Sequence, residues 1–207
     1  MKYTLAILFA WGAAWGAAPF SHKLHLGMAI ECGTCHPAAA TSTKAQDDLL
    51  PSKQICSQCH DASVAPQRPP ALPVPVVHFN HAVHLKMGNL APVLAKAIDK
   101  GNYLQPPGDV RSYLNTTNAC EACHRGLEQS GQVSAAALPK MADCLVCHVK
   151  VQVPWSCEDC HVRSAALKPV SHTRDNFFDT HSTGTFRAER ATCAVCHGRE
   201  FTCMGCH

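Results

Sequence analysis

All fourteen cysteines of this 207-residue chain stand in CxxC pairs: Cys32 with Cys35, Cys56 with Cys59, Cys120 with Cys123, Cys144 with Cys147, Cys157 with Cys160, Cys193 with Cys196, and Cys203 with Cys206. A histidine follows each pair at once: His36, His60, His124, His148, His161, His197 and His207. Three chemistries use paired thiols. A zinc ribbon needs two pairs but leaves the next residue free, and a disulfide framework leaves it free as well. Covalent haem attachment does not: both thiols add to porphyrin vinyl groups, and the adjacent imidazole is placed on the iron. With 14 histidines in 207 residues, composition alone would give seven hits in seven about once in a hundred million trials. The pattern therefore favours seven covalent haem c groups over zinc, disulfide or thioredoxin-like readings.

Seven histidines remain outside the motifs: His22, His25, His78, His81, His84, His172 and His181. A haem held between two imidazoles needs one distal histidine each, so supply equals demand. The seven are expected to be the distal iron ligands, axial ligand identity being the protein's main control over haem chemistry. Two histidines three apart lie on one helical face but diverge in direction, so one turn of HxxH can serve two neighbouring haems. Met28 and Met87, beside leucines at helical spacing, are expected to pack against porphyrin rather than ligate. No residue is assigned a catalytic role.

The elements that must position these ligands show a repeat. Phe20-Ser21-His22-Lys23-Leu24-His25-Leu26-Gly27-Met28 aligns with Phe79-Asn80-His81-Ala82-Val83-His84-Leu85-Lys86-Met87 as FxHxxHLxM, 59 positions apart. The first two CxxCH sites start 24 residues apart (Cys32, Cys56), as do the third and fourth (Cys120, Cys144). Two copies of one haem-binding unit follow, the second carrying an insertion over 88–118 with a helical pattern from Leu90 to Lys100. The expected organisation is a signal peptide (1–16), an N-terminal two-haem module (17–65), a proline-rich connector (66–77), a three-haem module (78–165) and a C-terminal two-haem module (166–207). The connector is read as an extended strap along one continuous haem stack. In the last module, His172 to His181 is read as one helix reaching two haems, with Phe177 and Phe178 as haem contacts.

Haem attachment to CxxCH takes place outside the cytoplasm, and the first residues fit an export signal: Lys2, an apolar run from Tyr3 to Trp11, and a small-residue region favouring a cut before Ala17. The run is interrupted by Gly12 and Gly16, whereas a membrane span needs about 20 apolar residues. Removing that signal leaves roughly 27 residues per haem, too few for each porphyrin to have a shell of its own. The haems should therefore form the core, wrapped by a mainly irregular and α, loop-rich chain of short helices with few or no strands. The formal charge of +3 is reversed by haem propionates, and no Lys/Arg cluster is present. Nucleic acid is excluded as a partner.

FxHxxH followed by CxxCH sites resembles the class III low-potential multihaem cytochromes c, the triheme and tetrahaem periplasmic proteins with bis-histidine haems. The likeness covers Phe20 to His60 and Phe79 to His161, and more weakly His172 to His207. It implies that His22 serves the haem on Cys32 and Cys35, His25 that on Cys56 and Cys59, and His81 that on Cys120 and Cys123. By the same likeness His84 serves the haem on Cys144 and Cys147 or that on Cys157 and Cys160. No histidine stands in Leu138 to Asp143, where the triheme members carry one, so the haem on Cys157 and Cys160 draws on His78, His172 or His181.

The expected function is electron transfer by a periplasmic carrier or relay, without a small-molecule substrate. Its partners would be other redox proteins, membrane quinol-linked or outer-membrane cytochromes; extracellular or membrane-associated placement and the oligomeric state stay open. The rival is a multihaem reductase of a small oxyanion or nitrogen compound with one open haem. That reading calls for a departure from the regular motif, and all seven motifs are regular. The terminal site at Cys203, Cys206 and His207 is expected to leave a haem edge exposed as an electron port.

Overall fold

A computed structural model describes residues 20–61, 76–132, 134–151, 159–161 and 170–180. The export signal and most of the connector lie outside the described residues. So do Cys157 and His181, the sixth motif with Cys193, Cys196 and His197, and the seventh with Cys203, Cys206 and His207. Short helices joined by loops make up the fold: α1 (His22–Leu26), α2 (Cys32–Cys35), α3 (Lys53–Cys56), α4 (His81–Lys86), α5 (Ala91–Asp99), α6 (Val110–Tyr113), α7 (Met141–Val151) and α8 (Phe177–Thr180). Turns of 3-10 helix occupy Pro37–Ala40, Ala135–Ala137 and Val170–Thr173. Among the described residues there is no strand, only an isolated antiparallel bridge between Val76 and His161. The expected loop-rich, short-helix class is the observed one.

The repeat is structural as well as sequential. Ser21 caps α1 by accepting from the Leu24 N–H at 3.4 Å, and Asn80 caps α4 by accepting from the Val83 N–H at 2.9 Å. Each side chain satisfies a helix-end donor that would otherwise be orphaned. Both helices then run into a left-handed residue at the same repeat position, Ala29 with φ 56° and Gly88 with φ 76°. Gly88 adopts that conformation freely, whereas Ala29 pays for its Cβ there. The copies also hold each other. Lys23 N–H donates to Ser130 C=O at 3.1 Å, and Ala82 N–H, its counterpart 59 positions later, donates to Ser42 C=O at 3.0 Å.

The insertion differs from the expectation that haem alone supplies the core. Its helix α5 starts at a local cap, Asn89 Oδ1 accepting from Ala91 N–H at 2.9 Å, with Pro92 in the first turn, where a missing N–H costs nothing. Gly101, at φ 65°, follows its end in the left-handed conformation that helix termini favour. The inner face of α5 gives Ala91, Leu94 and Ala95, which pack with Val110, Leu114 and Ala122. Leu90, Ile98, Cys123 and Val146 lie against this cluster. A side-chain core therefore exists beside the third and fourth motifs, because a nine-residue amphipathic helix must bury its apolar stripe on something.

The tail also departs from expectation. His172 lies in the 3-10 turn Val170–Thr173 and Phe177 opens the separate helix α8. The turn folds back so that the His172 and Phe177 rings stack at 4.3 Å. Asp175 and Asn176 lie between the two elements, and side chains of these types compete for backbone hydrogen bonds in non-helical conformations.

Candidate haem-binding centres

The two HxxH helices carry their histidines toward CxxCH segments. The His22 ring faces that of His36, centroids 6.3 Å apart and planes 15° from parallel. His25 faces His60 at 6.0 Å and 60°, His81 faces His124 at 6.5 Å and 10°, and His84 faces His148 at 6.2 Å and 32°. Metal–imidazole bonds are about 2 Å long and the ring centre lies about 1 Å behind its nitrogen, so two imidazoles on opposite sides of one iron have centroids about 6 Å apart. The four pairs have that separation.

The outward nitrogens fit the same use. Nδ1 of His25 lies 2.8 Å from the Ser21 carbonyl and Nδ1 of His84 lies 2.8 Å from that of Asn80. His36 Nδ1 is 2.7 Å from Leu49 C=O, and His124 Nδ1 is 3.1 Å from Ala137 C=O. A carbonyl can only accept, so each of these nitrogens donates and leaves Nε2 with its lone pair for a metal. His22 and His81 instead keep a buried Nδ1 without a partner. Burial, followed by the neighbouring histidines, lowers the pKa of His22 and His81, and burial chiefly lowers that of His124. Neutral imidazole is the ligating form.

One phenylalanine orders each HxxH turn. Phe20 meets His22 edge-on at 4.9 Å and stacks on His25 at 4.7 Å. Phe79 repeats this on His81 at 4.6 Å and His84 at 4.5 Å. Such contacts fix ring orientation before any ligand binds. Leu24, Met28, Val83 and Met87 are more than half exposed, and they are equivalent pairs in the repeat. An apolar face that large on a five-residue helix fits a flat hydrophobic group beside it.

The cysteines stand in a spatial order that differs from the order along the chain. The described ones are free thiols, so no disulfide joins any of these CxxC pairs. Burial and then Cys56 and Cys59 push up the Cys35 thiol, while burial and then Cys32 push up Cys120. Asn118 Nδ2 reaches Cys32 Sγ at 3.4 Å, just ahead of the third motif. Cys123 and Cys144 are both pushed up to about 11, mainly by burial, and Cys144 also feels Cys123 and Cys160. Both residues of the fourth motif, Cys144 and Cys147, are nonetheless exposed at the surface, as is Cys59 in the second. The second site thus adjoins the first, the first adjoins the third, and the third leads through the fourth to the fifth. Cys193 and Cys196 of the sixth motif, and Cys203 and Cys206 of the seventh, lie outside the described residues and so outside this order.

His78 is placed differently. Val77 N–H donates to Cys160 C=O at 2.8 Å, and the bridge pairs Val76 with His161, so exposed His78 runs alongside the fifth motif. Paired antiparallel residues have Cα atoms about 5 Å apart. Backbones flanking one iron from opposite faces must be roughly 10 Å apart or more, given metal–nitrogen bonds of about 2 Å on each side. The bridge therefore brings His78 beside His161 and not opposite it. His172, in the tail, stands against Phe177.

Sequence reasoning missed one feature. Arg125, directly after the third motif, pairs with Asp143, directly before the fourth, at 2.5 Å, and both side chains are over nine-tenths buried. Tyr103 donates to the same carboxylate at 2.8 Å. The three residues are separated in sequence by 18 and 40 positions, and singly each reads as an ordinary polar residue. No local signal could have joined them.

A family described as outer membrane cytochrome MtrC/MtrF-like, domains II/IV, matches residues 28–207. Neither curated proteins nor solved structures give a match. The match corrects the class III resemblance. HxxH and CxxCH encode a local two-imidazole geometry, which different multihaem families can share without a common fold. The match covers most of the sequence, and the chain belongs to the MtrC/MtrF-like outer membrane cytochromes, a family of multihaem electron-transfer cytochromes c.

Proposed function

We propose that the chain conducts electrons through seven covalently attached c-type haems held mostly between paired histidines, and that it works outside the cytoplasm as a relay between redox proteins. The observation that carries this reading is the set of four facing pairs at 6.0–6.5 Å. Each joins a motif histidine to a histidine of an HxxH turn. Bound haem supplies an iron that cycles between ferric and ferrous states. The chain's residues do the rest. The cysteines would anchor the haems, His22, His25, His81 and His84 would supply second iron ligands, and Phe20 and Phe79 hold those rings in place. The order of the cysteines through space gives a path running from the second site through the first, third and fourth to the fifth.

Two imidazoles on each iron would leave it no open coordination site, which argues against substrate reduction at these four centres. Attachment at Cys157 and Cys160, at Cys193 and Cys196, and at Cys203 and Cys206 is proposed on the motifs themselves. The distal assignments there draw on His78, His172 and His181. The backbone bridge argues that His78 serves an iron other than that of His161. Placement in the periplasm is one option; the family's outer-membrane character supports a position at or beyond the outer membrane. The module boundaries at 65, 77 and 165 are proposed on the repeat. The test is a mass measurement with carbon monoxide titration of the reduced protein. Seven haem increments with binding at one haem or none is expected. Fewer increments would reject seven attached haems, and stoichiometric binding at several haems would favour the reductase reading.

A further inference from the structure

We propose that Arg125, Asp143 and Tyr103 form a buried polar lock that fixes the third and fourth attachment segments against each other and sets the potentials of the two haems they carry. The inference rests on the reading that haems are attached at Cys120 and Cys123 and at Cys144 and Cys147.

Every polar atom of the carboxylate is used. Asp143 Oδ1 accepts from Tyr103 Oη at 2.8 Å. Its Oδ2 accepts from Arg125 Nη2 at 2.5 Å and from Lys140 N–H at 2.7 Å. Arg125 Nη1 donates to Ala122 C=O at 2.6 Å, inside the third CxxC turn. One guanidinium thus grips the turn that carries the third pair of thiols and the residue that precedes the fourth. Tyr103, 6% exposed, is delivered by the insertion, which gives that segment a role beyond its own packing.

Stability alone does not account for the lock. Replacing a buried ion pair with apolar side chains of similar volume is often neutral or stabilising. A low-dielectric site also makes each unbalanced charge felt strongly by neighbours. The charges of Arg125 and Asp143 cancel while the pair is intact, and Tyr103 withdraws part of the carboxylate's charge. The potentials of the adjoining haems, which respond to nearby charge and hydrogen bonding, depend on that balance.

Two variants of the full chain test this with opposite signs. Asp143→Asn leaves Arg125 uncompensated, which favours the reduced iron, so two of the midpoint potentials should rise. Tyr103→Phe keeps the ring but strips a donor from the carboxylate, so the same two should fall by less. Each change should alter the reduced-to-oxidised ratio of those two haems at fixed potential roughly threefold or more. Redox titration read by electron paramagnetic resonance resolves individual haems, and mass gives haem content. Unchanged potentials, equal shifts at all haems, or shifts of the same sign in both variants would overturn the lock with full haem content retained. If Asp143→Asn fails to fold, the sign and locality of the Tyr103→Phe shift decide alone. A wild-type haem count below seven would instead strike the attachment reading.

Discussion

Lys23 and Ala82 occupy the same position in two copies of one motif, and the backbone N–H of each donates to a carbonyl in the other copy's half of the chain, Ser130 and Ser42 respectively. Neither helix could satisfy its first turn in this way alone. The two modules should therefore open together. Native-state hydrogen exchange is expected to give these two amides equal opening free energies, with one thermal transition for both modules. Two separate transitions, or an N-terminal module exchanging far faster, would show independent domains.

Ring orientation should be readable in spectra. His22/His36 and His81/His124 are near parallel, at 15° and 10°, whereas His25/His60 is turned by 60°. Parallel imidazoles split the iron dxz and dyz orbitals, which overlap the ring π systems, and give rhombic low-spin signals; crossed ones bring those two orbitals together and raise the largest g value. The oxidised protein should show both classes. His25→Ala should remove the high-g class and leave the rhombic signals in place.

Ala29 sits at φ 56° where the second copy has Gly88 at φ 76°. A left-handed alanine costs on the order of 1 kcal/mol. Ala29→Gly should therefore raise stability by about 0.5–1 kcal/mol, less whatever the added freedom gives the unfolded chain. The reverse change, Gly88→Ala, meets no atom within 4 Å, so its expected loss of about 1 kcal/mol reports backbone strain alone. Paired denaturation midpoints measure both.

Leu94 is 4% exposed in the cluster formed by the insertion. Leu94→Ala should cost about 2–5 kcal/mol through lost burial and the cavity left behind. Because Cys123 and Val146 lie against that cluster, the loss should reach the third and fourth motifs, seen as earlier thermal loss of their haem signals. A change confined to insertion amides, with haem signals untouched, would mean that the insertion folds for itself.

Asp99 accepts both Nε and Nη2 of Arg111, at 2.7 and 3.1 Å. That hydrogen bonding holds its carboxyl below the usual range. A depressed folded pKa gives stability that is present above the unfolded value of about 4 and is lost as pH falls through the folded value. Both side chains are about half exposed, so the contribution should be small and should vanish in high salt. Asp99→Asn should lower stability slightly at pH 7 and low salt, and the difference from the wild type should close as pH falls below about 4. A loss at neutral pH that persists in salt would mean the pair matters to the fold through packing.

The sequence by itself determined the chemistry, because haem attachment is local. Cys120 to His124 must be contiguous for thiols and imidazole to meet one porphyrin, and His22 and His25 must be three apart to share a turn. The same locality made α1, α4 and α5 legible, down to the Leu90 to Lys100 pattern that became Ala91–Asp99. It misled about the tail, where helical spacing between His172 and His181 did not reveal the break before Phe177. Local motifs could also not separate class III cytochromes from the family to which the chain belongs. Only the tertiary structure faced His84 with His148 rather than His161, set the order of sites that puts Cys32 beside Cys120, and placed His78 alongside the fifth motif. It alone joined Arg125 to Asp143 and Tyr103, since burial is what turns three scattered polar residues into one interaction. These relations depend on how loops fold back across tens of residues, and no spacing along the chain encodes that path.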